Sequence, residues 1–506
     1  MTARWWGGMA VVAVIASMLP RLLLAFAAGD DDLVRWMPDD AFYYLQIARQ
    51  VTQGHGLTFD GTNPASGFHP LWLAWCIVAG GEVRTVAAGG MLLAVASAVP
   101  LWKLLRRWQL PAAGAAAGVA LYALNPRFII NSVNGLETAL VTFLWLIMLM
   151  RLAAWQGEYR VWWLVQTGMI GGGLWLARTD MIFVLLAVAS YILWRLPNEF
   201  RGRGLACFAA GAVPLPLLWL GFHAAYFGTL IAGSADAIPY VVRHTDPLAV
   251  QGWSGHLQCG LGRIVQTAGR WGFITGWPLA LPLLLAVVGG MLWCLCRTAD
   301  VERWRWRLLA LLWSAAAILF GVHAVLRLHP THWYFETVAM LMLLTALLLV
   351  RHCCPSRGGA VVAGIGLIGL AATWPASFPP ADYPWQRQLY RGAVWAHDRT
   401  PPDAVIGAFD AGILAYYSGR KVVNLDGVIN DNAGRAIRAR RLFAYMREQQ
   451  ITHYIDHDPF MRELFRPFFG DAGGLRYGKL ATFADGISLN SSPVSVFTLT
   501  WDDTPA

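Results

Sequence analysis

The feature that most constrains this chain is a series of long apolar runs separated by short polar or basic turns. The eleven runs cover residues 5–28, 85–102, 110–125, 134–154, 161–177, 181–195, 205–228, 272–296, 308–326, 335–350 and 359–374. Apolar stretches of about 20 residues are typical of helices that cross a bilayer. Only 14% of the residues are charged and 57% are hydrophobic, which excludes an ordinary soluble globular protein. The sequence therefore predicts an α-helical polytopic membrane protein with about eleven transmembrane helices.

The charges between the runs predict which turns face the cytoplasm. Lys and Arg concentrate in short cytoplasmic loops, and here every second turn is basic if Arg4 lies inside and the first run is an uncleaved anchor. This alternation places residues 29–84, the long loop 229–271 and the tail 375–506 on the outer side. The net charge of +9 is then an orientation signal, and we expect no nucleic-acid partner.

The tail differs in composition from the rest of the chain. After several prolines it contains the β-like runs Ala404–Phe409, Val422–Leu425 and Ile451–Ile455, with a basic helix predicted over Ala433–Gln449. Strands that alternate with helices predict a small α/β domain with a parallel sheet. Two aspartates directly follow the first two strands, at the sheet edge where α/β folds bind ligands (Asp410, Asp426). Acceptor binding and simple structural cover of the core are both open for this domain.

The first outer loop carries the most distinctive polar residues. Asp39 and Asp40 follow the first apolar run, with Tyr43 close behind, and His69-Pro70 opens a short apolar stretch at 70–80. That stretch is too short to cross the membrane and favours a helix along the interface. Two adjacent carboxylates beside a membrane favour a general base, because burial and like charge raise one pKa. A solvated pair that caps a helix is the alternative.

The second and third outer turns each add a charged group to an apolar surrounding. Glu137 stands at the start of a predicted hydrophobic helix. It is either a functional acid within the membrane or a charge that stabilises the first turn of the helix. Arg178 and Asp180 lie in a turn of a few residues, where the arginine could hold a phosphate or form a structural ion pair.

The remaining outer segments offer basic and aromatic groups. The long loop contains Arg243 and has a length that suits a lid, although long loops are also ordinary connections. The fifth outer turn contains Arg327, His332 and Tyr334, which suit a phosphate carried on a lipid or an interfacial aromatic and basic belt. Arg21, near the outer end of the first helix, is expected to reach outward or to pair with an outer carboxylate.

Motifs for other chemistries do not occur in the sequence. There is no Walker-type lysine loop, no H-E-x-x-H signature and no metal-ligand spacing among the seven cysteines. The sequence therefore assigns no cofactor and leaves a divalent cation open. Because ionisable residues gather in the outer turns, a site at the outer surface is favoured over a central transport pathway.

The paired acids after the first helix, the interfacial helix and His69-Pro70 together resemble the GT-C superfamily of integral-membrane glycosyltransferases. The resemblance is strongest to the bacterial branch related to protein mannosyltransferases and aminoarabinose transferases (glycosyltransferase family 39-like). It covers residues 1–374, most clearly Asp39–Trp72 and more weakly Asn134–Thr138 and Arg178–Asp180. It implies an inverting transfer from a polyprenyl-phosphate-linked sugar donor to a lipid, glycan or protein acceptor, at the outer face of the bacterial cytoplasmic membrane.

The resemblance also implies roles for individual residues. A first-loop aspartate, Asp40 or Asp39, is the expected general base, and Glu137 is a second functional acid. The clustering of ionisable groups on the outer face, rather than the resemblance, leads us to expect that Arg178, Arg327 and His332 bind the donor phosphate. The residues expected to contact substrate are Asp180, His69, Tyr334, Tyr43 and Arg243. Two other classes stay open: a transporter or flippase of lipid-linked saccharides, and a non-catalytic subunit of envelope assembly.

Overall fold

The computed structural model divides the chain into two compact units built from interleaved segments. It describes residues 2–247, 251–268, 277–298, 300–326, 331–355, 364, 374, 378, 380, 382–472, 474–484 and 492–501. The first unit comprises Met1–Leu24, Ala88–Trp219 and Gly260–Pro379. The second comprises Ala25–Ala87, Leu220–Cys259 and Pro380–Ala506. The first outer loop, most of the long outer loop and the tail thus belong to one unit.

Helices form almost all of the chain before the tail. In chain order they are α1 (Ala3–Leu22), α2 (Asp30–Leu33), α3 (Asp39–Thr52), α4 (Pro70–Val78), α5 (Val83–Arg107), α6 (Ala112–Leu124), α7 (Pro126–Ser132), α8 (Thr138–Ala154), α9 (Val161–Ala177), α10 (Ile182–Arg195), α11 (Arg201–Ala212), α12 (Pro214–Phe227), α13 (Gly233–Thr245), α14 (Trp253–Ala268), α15 (Trp277–Arg297), α16 (Asp300–Leu326) and α17 (Glu336–Cys353). The short helix α4 coincides with the interfacial helix predicted at 70–80.

Several of these helices have the length and composition of membrane spans. Within the described residues, four are long and apolar enough to cross a bilayer, or up to six if each of two bent helix pairs is one span. The fold class predicted from the sequence is confirmed, while the count of eleven crossings stays a prediction. The last predicted run, 359–374, lies outside the described residues except for Gly364 and Trp374.

One predicted run, residues 205–228, is divided in the structure. It forms α11 and α12, and the bend between Asn198–Ala212 and Pro214–Phe227 is 47°. Pro214 begins the second helix, and its ring has no N–H to continue the helical hydrogen-bond ladder. Within the first unit, α9 and α11 approach closely at Gly168, where an added Cβ atom would lie 2.1 Å from the carbonyl oxygen of Phe208. Small residues at helix contacts are typical of membrane bundles.

The tail folds as an α/β domain around a five-stranded sheet. The strands are β1 (Val405–Ala408), β2 (Lys421–Asn424), β3 (His453–His457), β4 (Leu475–Phe483) and β5 (Val494–Trp501), and the helices are α18 (Gln386–Arg399), α19 (Gly412–Ser418), α20 (Asp431–Arg438) and α21 (Leu442–Glu448). The spatial order is β2-β1-β3-β5-β4. The first three strands pair in parallel, as predicted, and β5 pairs antiparallel with β3 and β4.

The single basic helix predicted over Ala433–Gln449 is wrong. The segment forms α20 and α21, which are separated at Arg440, whose φ of 52° lies in the left-handed region. The apolar residues of both helices pack into one core with Phe409, Tyr454 and Phe465. The break at Arg440 allows both short helices to bury their apolar residues in this one core.

Candidate active site

Five carboxylates of the second unit gather where the parallel strands end. Asp410 and Asp426 each lie two residues beyond a strand, β1 and β2, and Asp456 lies near the end of β3. The carboxyl ends of adjacent parallel strands open at the same edge of a sheet, which is the usual ligand edge of α/β folds. Helix α3 of the first outer loop packs against α19 of the tail and adds Asp39 and Asp40. We call these five residues the acidic cluster.

Asp39 is held in place by the tail. Its carboxylate accepts hydrogen bonds from the backbone N–H groups of Gly412 (2.9 Å) and Ile413 (2.7 Å), at the start of α19. Its own backbone N–H donates to Oε1 of Gln386 at 2.8 Å. These bonds satisfy N–H groups that have no partner within a helix. Asp39 thus acts as a cap supplied from a distant part of the chain.

Asp40 lies beside Asp39 in the first turn of α3, and Tyr43 lies one turn further along. Asp40 is half-buried, whereas Asp39 is buried. Tyr43 is buried as well, and its hydroxyl donates to the carbonyl oxygen of Phe409 at 3.3 Å. Burial and the nearby carboxylates raise the pKa of Tyr43 well above its ordinary value, so the phenol stays neutral and can only donate or accept a hydrogen bond.

Burial and mutual repulsion disfavour ionisation throughout the cluster. Burial, followed by the negative charge of the other four carboxylates, raises the pKa of Asp410 well above its usual range. Burial raises the pKa of Asp426 to about 7 against an opposing hydrogen bond from the N–H of Val428. The pKa of Asp456 is also raised well above the usual range by burial, although backbone N–H groups oppose this. Such a set of perturbed carboxylates marks a candidate functional site.

One part of the cluster has the arrangement of a metal site. Ligand atoms of Asp410, Asp456 and His457 all lie within 4.8 Å of one another. Among the residues that the structure describes, this is the one group of three or more such side chains found. Asp456 and His457 were missed at the sequence level. Their signal was the position directly after the third β-like run, which is the rule that had identified Asp410 and Asp426.

A second polar group lies within the first unit, around Arg178. Its guanidinium bonds Oε1 of Glu137 through Nη1 and the carboxylate of Asp180 through Nε, each at 3.0 Å. The guanidinium carbon lies 4.5 Å from the centre of the Tyr334 ring, a cation–π contact. Four residues named from three separate outer turns therefore meet at one place. Arg178 and Glu137 are both buried, so the arginine is fixed between two acids.

The first unit contains further buried polar contacts that the sequence did not single out as a site. Glu336 accepts hydrogen bonds from Nδ2 of Asn131 (2.6 Å) and from the hydroxyl of Thr142 (2.9 Å). Arg21 is almost fully buried and donates to the hydroxyl of Ser132 and to backbone carbonyls. The expectation that Arg21 reaches outward is wrong, because its donors are satisfied inside the helix bundle.

The other predicted site residues lie as follows. The backbone N–H of His69, which precedes α4, donates to the hydroxyl of Tyr44 at 3.1 Å. Arg243 is exposed in the last turn of α13. Arg327 lies outside the described residues, and so does the side chain of His332, whose backbone begins a short 3₁₀ turn (His332–Phe335).

Comparison with known proteins identifies the fold. Residues 381–497 match a family described as a domain of unknown function (DUF8728). No curated protein sequence matches the chain. Among solved structures, the oligosaccharyltransferase of Archaeoglobus fulgidus in complex with Zn and sulfate matches with a TM-score of 0.55 at 15% identity. That match covers 96% of this chain and 72% of the other.

Two further solved structures are similar. The same Archaeoglobus fulgidus enzyme, tethered to an acceptor peptide containing the NVT sequon, matches with a TM-score of 0.53 at 13% identity, over 97% of this chain and 74% of that chain. ArnT from Cupriavidus metallidurans, bound to undecaprenyl phosphate, matches with a TM-score of 0.41 at 13% identity, over 98% of both chains. The two Archaeoglobus fulgidus matches confirm the GT-C-like fold that the sequence resemblance implied.

Proposed function

We propose that this chain is a membrane glycosyltransferase that moves a sugar from a polyprenyl-phosphate-linked donor to an acceptor hydroxyl at the outer face of the bacterial cytoplasmic membrane. The observation that carries the proposal is the division of labour within the first-loop acid pair. Asp39 caps α19 by accepting two backbone hydrogen bonds, whereas Asp40 beside it is half-buried. A rigidly held helix that presents one carboxylate suits a general base.

Asp40 is the group to which we assign the proton transfer. It accepts the proton of the acceptor hydroxyl as the oxygen attacks the anomeric carbon of the donor sugar. The bond between that carbon and the phosphate oxygen breaks in the same step, and the electron pair leaves with the lipid phosphate. A single displacement of this kind inverts the anomeric configuration.

Arg178 is the group to which we assign the donor phosphate. Nε and Nη1 are bound to Asp180 and Glu137, while Nη2 makes no hydrogen bond within the part of the chain that the structure describes. The two acids and the Tyr334 ring fix the plane of the guanidinium, so its remaining donors are oriented in advance. Arg327 and His332 stay proposed partners in this role, as do Asp180 and Tyr334 as orienting groups.

The fold supports the reaction class. The Archaeoglobus fulgidus structures are of an oligosaccharyltransferase, and one of them carries a tethered acceptor peptide. A shared fold over nearly the whole of this chain supports a lipid-linked donor here. The sugar and the acceptor are left to experiment.

Transfer of label tests the proposal. The full-length chain, purified in detergent, is mixed with polyprenyl-phosphate donors that carry radiolabelled mannose, glucose or arabinose and with an extract of cell-envelope lipids and glycans. We expect label to move from the donor to acceptor material with at least one donor, and Asp40→Asn to lower the rate at least 100-fold.

Two controls make the result decisive. Asp398→Asn changes an exposed carboxylate in the same unit and should leave the rate unchanged. Each variant must also elute as a single species, so that loss of turnover is not loss of folding. Wild-type rates in Asp40→Asn, or no transfer from any of the donors, would remove the basis of the assignment.

A further inference from the structure

Three carboxyl groups lie together at the parallel edge of the sheet: Asp410, Asp426 and Asp456. Among the residues that the structure describes, none of Asp410, Asp426 and Asp456 forms a salt bridge with a cationic side chain. The side chain of Asp410 accepts no hydrogen bond there either. Buried carboxylates in proteins are paired with a cation or coordinate a metal. The edge is therefore suited to a ligand that the chain itself does not supply.

His457 provides the observation that points to a metal. The residue is 7% exposed, and its Nδ1 lies 2.8 Å from the backbone carbonyl oxygen of Ser492. A carbonyl oxygen can only accept, so Nδ1 carries the proton and Nε2 carries a lone pair. That Nε2 atom is buried and has no hydrogen-bond partner among the residues that the structure describes. An imidazole whose other nitrogen donates to a carbonyl is the usual arrangement of a metal-ligating histidine.

Asp456 is fixed beside it by the backbone. Its Oδ2 atom accepts the N–H groups of Phe409 (2.6 Å) and Asp410 (3.1 Å), and its Oδ1 atom accepts the N–H of His457 (2.7 Å). A carboxylate has about four lone-pair positions, so one remains for a further partner. These bonds also tie the end of β1 to the end of β3, which brings Asp410 to the same place.

The spacing suits one ion. Ligand atoms of the three residues lie within 4.8 Å of one another. Two ligands that are each about 2.0–2.2 Å from a shared Zn²⁺ ion lie at most ~4.4 Å apart. The limit of 4.8 Å exceeds this value by at most ~0.4 Å, which small side-chain movements can close.

We propose that Asp410, Asp456 and His457 bind a single divalent transition-metal cation, of the class of Zn²⁺ or Mn²⁺. One imidazole nitrogen with two carboxylate oxygens favours these ions over Mg²⁺ and Ca²⁺, which prefer oxygen ligands alone. The site lies in the tail domain, and a bound cation would bring positive charge close to Asp40. The proposal does not depend on the transferase activity.

Metal binding to the purified full-length chain tests the proposal directly. The protein is prepared in detergent without a polyhistidine tag, treated with EDTA and titrated with Zn²⁺, Co²⁺ or Mg²⁺ by calorimetry, with the visible spectrum of Co²⁺ as a second readout. We expect one Zn²⁺ or Co²⁺ per chain and at least tenfold weaker binding of Mg²⁺. His457→Gln and Asp410→Asn should each weaken the binding of Zn²⁺ at least tenfold.

Matched controls exist in the same domain. His453→Gln changes a histidine in the same strand outside the metal group, and Asp398→Asn changes an exposed aspartate; both should bind like wild type. Asp410→Asn removes repulsion, so it should fold at least as well as the metal-free wild type. Absence of stoichiometric binding in wild type, or unchanged binding in His457→Gln, would overturn the proposal. Such a result would mean that the cluster is a group of partly protonated carboxyl groups without a metal ion.

Discussion

The carboxylate of Asp39 accepts the backbone N–H of Ile413 at 2.7 Å, and it accepts that of Gly412 as well. The side chain of a first-loop residue thus caps the start of a helix in the tail domain. The relationship explains why two adjacent aspartates need not share one role. It also makes the contact between loop and tail open to test by single substitutions.

Removal of this cap should destabilise the second unit. Asp39→Ala leaves two buried N–H groups without partners, and an unsatisfied buried donor costs about 1–3 kcal/mol. We expect a lower midpoint of thermal unfolding, measured in detergent by intrinsic tryptophan fluorescence. Asp398→Asn should not shift the midpoint. An unchanged midpoint in Asp39→Ala would mean that the cap contributes nothing.

Gly412 should not tolerate a side chain. A Cβ atom there would lie 2.3 Å from the backbone carbonyl oxygen of Asp39 and 3.1 Å from its carboxylate carbon, so the two segments must separate. We expect Gly412→Ala to lower both the unfolding midpoint and the transfer rate. Gly202→Ala is the matched control, because a Cβ atom at Gly202, in α11, meets nothing within 4 Å. Its midpoint should stay equal or rise, since alanine favours a helix.

Asp431 should make stability depend on pH. It accepts a hydrogen bond from the hydroxyl of Ser66 at 2.6 Å, and burial raises its pKa above the ordinary value. A carboxyl group whose pKa is raised on folding destabilises the folded state as pH rises above the unfolded pKa of about 4. Asp431→Asn keeps the acceptor oxygen but cannot ionise.

The comparison is made with unfolding midpoints between pH 4 and pH 7.5. We expect the difference between Asp431→Asn and wild type to grow in favour of the variant as pH rises. Asp398→Asn should show no such trend. A difference that is constant with pH would contradict the assigned cause.

Arg178 and Glu137 should be strongly coupled. Arg178→Met removes the ion pair of the buried Glu137 with Arg178, and the loss of one member of a buried ion pair costs about 3–5 kcal/mol. The double variant Arg178→Met with Glu137→Gln should recover part of this loss, because no uncompensated charge remains. Thermal unfolding of the two single variants and the double variant measures the coupling. Additive effects would show that the pair is not energetically linked.

The sequence was sufficient for the parts of the molecule that follow local periodicity. The apolar runs predicted most of the helices, and β-like runs at three places predicted the parallel strands. The break at Arg440 could not be read in this way, because it depends on how α20 and α21 pack into a shared core. Strands β4 and β5 were missed; β4 is largely exposed, so no buried face marks it in the sequence.

The candidate site shows the same limit. Charge scarcity identified Asp39, Asp40, Glu137 and Arg178 as residues of interest. Nothing in the sequence around Asp39, however, indicates a partner at Gly412, because that contact depends on the packing of α3 against α19. The tautomer of His457 is likewise set by the backbone carbonyl of Ser492, which precedes β5 and lies 35 residues away in the sequence.

The separation of 373 positions between Asp39 and Gly412 has a consequence for biosynthesis. The ribosome makes α3 before the N–H groups that engage its first turn, which follow 373 residues later. While the intervening residues are synthesised, the acid pair lacks the tail residues that fix it. A chain released before residue 412 would carry the first-loop carboxylates without the structure that distinguishes one from the other.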